Sequence, residues 1–170
     1  MKFHKVILIF MVPILWLAAC NPSQDNFSVY LVAEDIPHDV VVKGDIENLQ
    51  LEAQPLLAAE DILWYDAASH EMELTEEAFE RIAELKIPVT GGPDFVVCVG
   101  SERIYGGAFW TPLSSLRFDG VVIQSPLGAD DHTIRIQLGY PEAPDLFKGQ
   151  DLRADARTIQ ALRQGGKLRE

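Results

Sequence analysis

Hydrophobic and polar positions divide this chain into segments of different period. Val6 to Ala19 runs 14 residues without a charge, broken only by Pro13. Phe27 to Ala33 alternates and is rich in aromatic and β-branched residues, which predicts a first strand. Between Asp35 and Gln54 the pattern weakens. Val40-Val41-Val42 predicts a short strand there, and Leu49 and Leu51 alternate with polar neighbours. Pro55 to Asp66 predicts a turn or short helix. Glu71 to Leu74 predicts a strand with Met72 and Leu74 on one face. Thr75 then stands as an N-cap, with Glu76 and Glu77 at the positive end of the following helix. The apolar stripe of that helix is Ala78, Phe79, Ile82 and Ala83, and Pro88 ends it. Phe95 to Val99 is apolar throughout, as a strand buried on both faces is. Gly100-Ser101-Glu102 turns the chain into Arg103 to Ala108. Val121 to Gln124 predicts another strand. Thr133 to Leu138 sets Ile134, Ile136 and Leu138 against Arg135 and Gln137, a half-buried strand. Asp155 caps a last helix, which Gly165-Gly166 terminates. Together these segments predict an α+β fold: an antiparallel sheet with one or two helices packed on one face.

Composition narrows the class. Of 170 residues, 48% are hydrophobic and 24% charged, which excludes a disordered chain and a multi-span membrane protein. Domains cluster near roughly 100–150 residues, so residues 27–170 are expected to form one domain. The apolar run at the start is shorter than the about 20 residues of a spanning helix. With Lys2 and Lys5 before it, residues 1–19 fit a secretory signal.

The run ends Leu17-Ala18-Ala19-Cys20, which resembles a bacterial lipobox. The resemblance implies lipidation of Cys20, cleavage before it, and a tether over residues 20–26. Two acyl signals hold a protein firmly at a bilayer. The implied place is the extracytoplasmic face of the cell membrane, with the lipid on Cys20 as the membrane contact. Without Lys2 and Lys5, 12 basic and 26 acidic side chains remain, a net charge of −14. Such a surface disfavours nucleic acid and anionic lipid.

Residues 55–127 carry a second resemblance. Pro55-Leu56-Leu57 leads to Asp61-Ile62, then to a strand ending Leu74-Thr75-Glu76-Glu77-Ala78. A helix, a glycine-containing loop, the strand Phe95 to Val99, a tight turn and Arg103-Ile104-Tyr105-Gly106-Gly107-Ala108 follow. This order resembles the head subdomain in the first periplasmic domain of SecD, the protein-export accessory. Gly100-Ser101 stands where that family has Asp-Gly, and Phe109 where it has Pro. The resemblance implies a SecD-head-like fold and a link to export. The motifs that carry it are structural, not catalytic.

Candidate chemistry is sparse. Cys98 lies inside an apolar run and is expected to be an inert core thiol. His38, His70 and His132 are not at metal-ligand spacing. Asp130-Asp131-His132 follows Pro126 and Gly128, where a solvated turn is expected. Ser114-Ser115 lacks a Gly-x-Ser-x-Gly frame, and Gly91-Gly92-Pro93 lacks the lysine of a phosphate loop. Residues 60–84 hold nine acidic side chains and one basic, Arg81, as a solvated face does. No metal or cofactor is expected.

Tyr105-Gly106-Gly107-Ala108-Phe109-Trp110-Thr111-Pro112-Leu113 is the most informative stretch. Tyr105, Phe109 and Trp110 form either a binding patch or a cap on the core. The function expected is a non-enzymatic binding or accessory module of the cell envelope, acting on a protein or peptide partner. The alternative is an envelope hydrolase or other enzyme whose site is assembled from distant residues.

Overall fold

The computed structural model describes residues 26–126, 131–142 and 144–169. Among them are nine strands: β1 (Phe27–Leu31), β2 (Leu57–Ala58), β3 (Ile62–Asp66), β4 (Glu71–Leu74), β5 (Asp94–Val99), β6 (Glu102–Trp110), β7 (Phe118–Gln124), β8 (Thr133–Tyr140) and β9 (Leu168–Arg169). The helices are α1 (Asp39–Lys43), α2 (Glu76–Ala83) and α3 (Ala156–Gln164). The strands form one sheet in the order β2-β1-β5-β6-β7-β8-β4-β3-β9. The class is α+β and mostly sheet.

The sheet is mixed, a correction to the antiparallel expectation. β6 pairs parallel with β7, and β3 pairs parallel with β9. Strand direction is set by the connections and leaves no trace in the hydrophobic period. Parallel neighbours usually need a crossover of about a dozen residues. Here residues 111–117 alone carry the chain back from the end of β6 to the start of β7. Seven extended residues reach only roughly 23 Å, so this loop has little slack.

Alternation along β5 separates two cores. Phe95, Val97 and Val99 join Phe79 and Ile82 of α2 and Leu162 of α3 in one cluster. Val96 and Cys98 join Val41 of α1, Trp110, Phe118 and Val122 in the other. Two helices thus feed one core and the third feeds the other. Burying each large apolar side chain stabilises by about 1.5–3 kcal/mol, so both clusters hold the sheet.

Three local outcomes differ from the sequence reading. Val40 to Val42 lie in α1, not in a strand. Five residues are far below the roughly 12–15 that an isolated helix needs. Packing supports α1: a Cβ on Gly106 would lie 3.0 Å from the Val41 and Ile46 side chains, so glycine lets the helix sit close on β6. Gly44, at φ +78°, ends α1. Residues 62–66 form β3, not a turn or helix. A bulge between Ile62 and Trp64 puts Ile62 and Tyr65, three residues apart, on the buried side and hides the strand period. The helix begun by Thr75, whose Oγ1 accepts from the Ala78 N–H at 3.3 Å, ends at Ala83, before Pro88. The Asp155 cap is as expected: its Oδ1 accepts from the Arg157 N–H at 2.9 Å.

Candidate functional site

Tyr105, Phe109 and Trp110 are 6%, 0% and 2% exposed. They form no exposed patch; they belong to the core. Strand alternation also divides them, Tyr105 and Phe109 in one cluster and Trp110 in the other. Phe109 packs edge-on against Phe95 at 5.3 Å, and Trp110 stacks on Phe118 at 5.0 Å. Cys98 is buried, and burial pushes its thiol up. Cys20 and Asp130 lie outside the described residues. His132 has φ 52° and rests against the Phe79 ring at 4.9 Å. Among the described residues no three His, Cys, Asp or Glu side chains gather as a metal set. In the acidic stretch, Asp61 pairs with Arg81 at 2.7 Å, and Glu73 accepts from the Trp64 indole.

Trp110 backs a site the sequence did not reveal. His38 stands at the position before α1, and its Nδ1 lies 2.8 Å from Asp94 Oδ1 at the start of β5. The imidazole ring packs edge-on against Trp110 and Phe118, each at 5.7 Å. Its side chain is 31% exposed, that of Asp94 only 5%. The hydrogen bond to Asp94 outweighs desolvation and raises the His38 pKa, with Asp35 adding to the rise. The histidine therefore gains a proton readily beside a buried carboxylate.

A cleft of about 470 Å³ opens here, lined by Val32, Glu34, Asp35, His38, Thr90 and Gly91, with Asp94 at its base. Gly91 has φ +127°, a conformation open to glycine. A Cβ at Gly91 would lie 2.5 Å from His38 Nε2 and 3.0 Å from the Trp110 ring. The backbone thus closes directly on the imidazole.

The segment before Gly91 joins this cleft to the 111–117 loop. Ser114 Oγ donates to the Val89 carbonyl at 2.5 Å and accepts from the Leu116 N–H at 3.1 Å. The Tyr140 hydroxyl lies 3.0 Å from the carbonyl oxygens of both Pro112 and Ser114. The loop is pinned at both neighbours, yet Leu113 is 73%, Val89 55% and Leu116 46% exposed. An anchored loop holds these apolar side chains in water. Ser114 spends its hydroxyl on this anchoring.

A larger cleft, about 560 Å³, lies between the β5–β6 turn and α3 and is lined by Gly100, Ser101, Glu102, Arg157, Gln160 and Gln164. Its Arg157 is held by Asp155 at 2.9 Å and by Glu102 at 3.0 Å. Its charges satisfy one another, and none of the large apolar side chains exposed among the described residues lines it.

Elsewhere His70 is buried, its Nδ1 2.9 Å from the Tyr65 hydroxyl, which donates to the Arg153 carbonyl at 3.2 Å. Burial lowers the His70 pKa and raises that of Tyr65. This arrangement braces β3. Comparison with family models, with curated proteins and with solved structures finds no match to this chain.

Proposed function

We propose that this chain is a membrane-tethered extracytoplasmic lipoprotein acting as a non-enzymatic binding module of the bacterial cell envelope. Its docking surface is the 111–117 loop together with Val89. The observation that carries the docking surface is the exposure of Leu113 and Leu116 on a loop fixed by Ser114 and Tyr140, and of Val89, whose carbonyl Ser114 holds. Exposed apolar clusters mark interaction sites, and a fixed loop loses little entropy on binding. The lipobox residues Leu17-Ala18-Ala19-Cys20 support the anchor.

The cleft and Asn26 lie at opposite ends of β1: Gly100 N–H donates to the Asn26 carbonyl, whereas Leu31 pairs with Phe95. A strand of this length separates them by roughly 17 Å. A chain tethered through its N-terminal segment would present the cleft away from the tether. The SecD-head resemblance of residues 55–127 makes protein export the envelope process for which this module is proposed.

Two measurements test the proposal. The intact wild-type chain should carry lipid at Cys20 by mass spectrometry, and Cys20→Ser should abolish it. A photoreactive residue at position 113 should capture a partner in intact cells. An unmodified wild-type chain would overturn the anchor, and an inert position 113 would overturn the docking surface.

His38 and Asp94 favour a second reading, an envelope hydrolase or other enzyme with His38 as general base and Asp94 orienting it. Among the described residues no serine, threonine or cysteine side chain bonds to His38. That reading therefore requires water as the nucleophile, and His38→Ala should then abolish turnover in a chain that still folds.

A further inference from the structure

We infer that this docking surface takes a polypeptide segment in which a basic side chain neighbours apolar ones. The inference rests on the docking reading above and names its ligand class. The apolar contribution is Leu113, Val89 and Leu116, three of the four large apolar side chains that stand exposed among the described residues. The fourth, Leu63, is on β3, beyond this site.

The polar contribution adjoins them through Thr90 and Gly91, which line the cleft immediately after Val89. Within the cleft His38 and Asp94 satisfy each other. Glu34 and Asp35 also line it, are exposed, and form no ion pair among the described residues. Among the described residues Glu34 Oε1 accepts the Gln50 N–H alone, at 3.2 Å. The cleft thus keeps two carboxylates outside any ion pair, Asp35 within electrostatic reach of His38, in a chain of net charge −12. An ammonium or guanidinium group fits there, while the same field repels anionic lipid and nucleic acid. The apolar rim and the acidic cleft share one backbone segment, residues 89–92. A ligand that satisfies both must carry a cation beside apolar groups, as a short stretch of polypeptide with Lys or Arg next to Leu or Val does.

The experiment is fluorescence anisotropy of the purified full chain in detergent with three labelled peptides. One alternates Lys with Leu and Val, one replaces Lys by Glu, and one replaces Leu and Val by Ser. The first should bind and the other two should not. Leu113→Ser should weaken binding at least about tenfold, as loss of a buried leucine implies. The double change E34Q/D35N should weaken it about two- to fivefold, as for exposed charge pairs, and flatten its salt dependence. Equal binding of the Glu peptide, an unchanged affinity in E34Q/D35N, or no binding of any peptide would each overturn this inference. If E34Q/D35N is silent while Leu113→Ser still weakens binding, the docking surface stands and only the basic ligand is refuted. If Leu113→Ser is silent as well, the docking reading fails with it.

Discussion

His38 and His70 form the same kind of bond and answer in opposite directions. Each imidazole places Nδ1 within 2.9 Å of an oxygen. The partner of His38 is a carboxylate, and the ring borders an open cleft; the bond wins and the pKa rises. The partner of His70 is a neutral phenol inside the fold; burial wins, the Arg153 charge adds to it, and the pKa falls. The difference separates a group kept responsive at a surface from one that only braces a core. His70 sits at φ 58° at the end of a turn closed by Asp66, whose Oδ1 accepts from Ala68 and Ser69. Its whole surroundings are spent on holding β3 to β4. The surroundings of His38 are half spent, on Asp94, Trp110 and Phe118, and half open.

The largest effect should come from the wall behind His38. Trp110 is buried and stacked, so Trp110→Ala should cost about 3–5 kcal/mol in a urea melt. A loss under about 1 kcal/mol would mean that the indole is not core. Next comes the brace around His70. Tyr65→Phe removes the hydroxyl that both His70 and the Arg153 carbonyl face, and should cost about 1–3 kcal/mol. A neutral result would show that His70 does not depend on it.

The pH dependence of stability sets the two histidines against each other. The raised His38 pKa contributes stability that is full below the ordinary value of 6.5 and is lost as pH rises through the folded value. The lowered His70 pKa contributes stability present above 6.5 and lost as pH falls through its folded value. Melts from about pH 5 to 8 should therefore show His38→Ala removing the decline on the alkaline side alone. His70→Ala should remove the decline on the acidic side alone, and a change of both limbs in either variant would break the contrast. The smallest effect belongs to the loop. Leu113→Ser should stay within about 0.5 kcal/mol of wild type, as exposed substitutions do. A larger loss would place Leu113 in the fold's support.

Much of the frame was legible because a single segment encodes it. Phe95 to Val99 announces a central strand by its unbroken apolar character, and Thr75 and Asp155 announce helix starts by their side chains. What was illegible depends on distant partners. Val40 to Val42 favour a strand locally, and their helix packs against distant Gly106. β3 is concealed by its bulge. His38 and Asp94 are 56 residues apart, and nothing near either names the other. In the stretch from Tyr105 to Leu113 the aromatics dominate the pattern. They fill cores, while Leu113, beside Pro112 and Ser114, holds the exposed position. An isolated leucine among turn residues was the signal, and no local rule distinguishes it from a leucine that folds inward.

The most direct test of the docking surface compares positions 113 and 63 in the lipid-bearing full chain. Leu113 and Leu63 are both exposed apolar side chains, but only Leu113 lies on the pinned loop beside the cleft. With a photoreactive residue at each position in turn, intact cells should yield an adduct of one defined mass from 113, weakened by E34Q/D35N, and none from 63. Equal yields from both positions, or an adduct from 63 alone, would contradict the assignment of this surface.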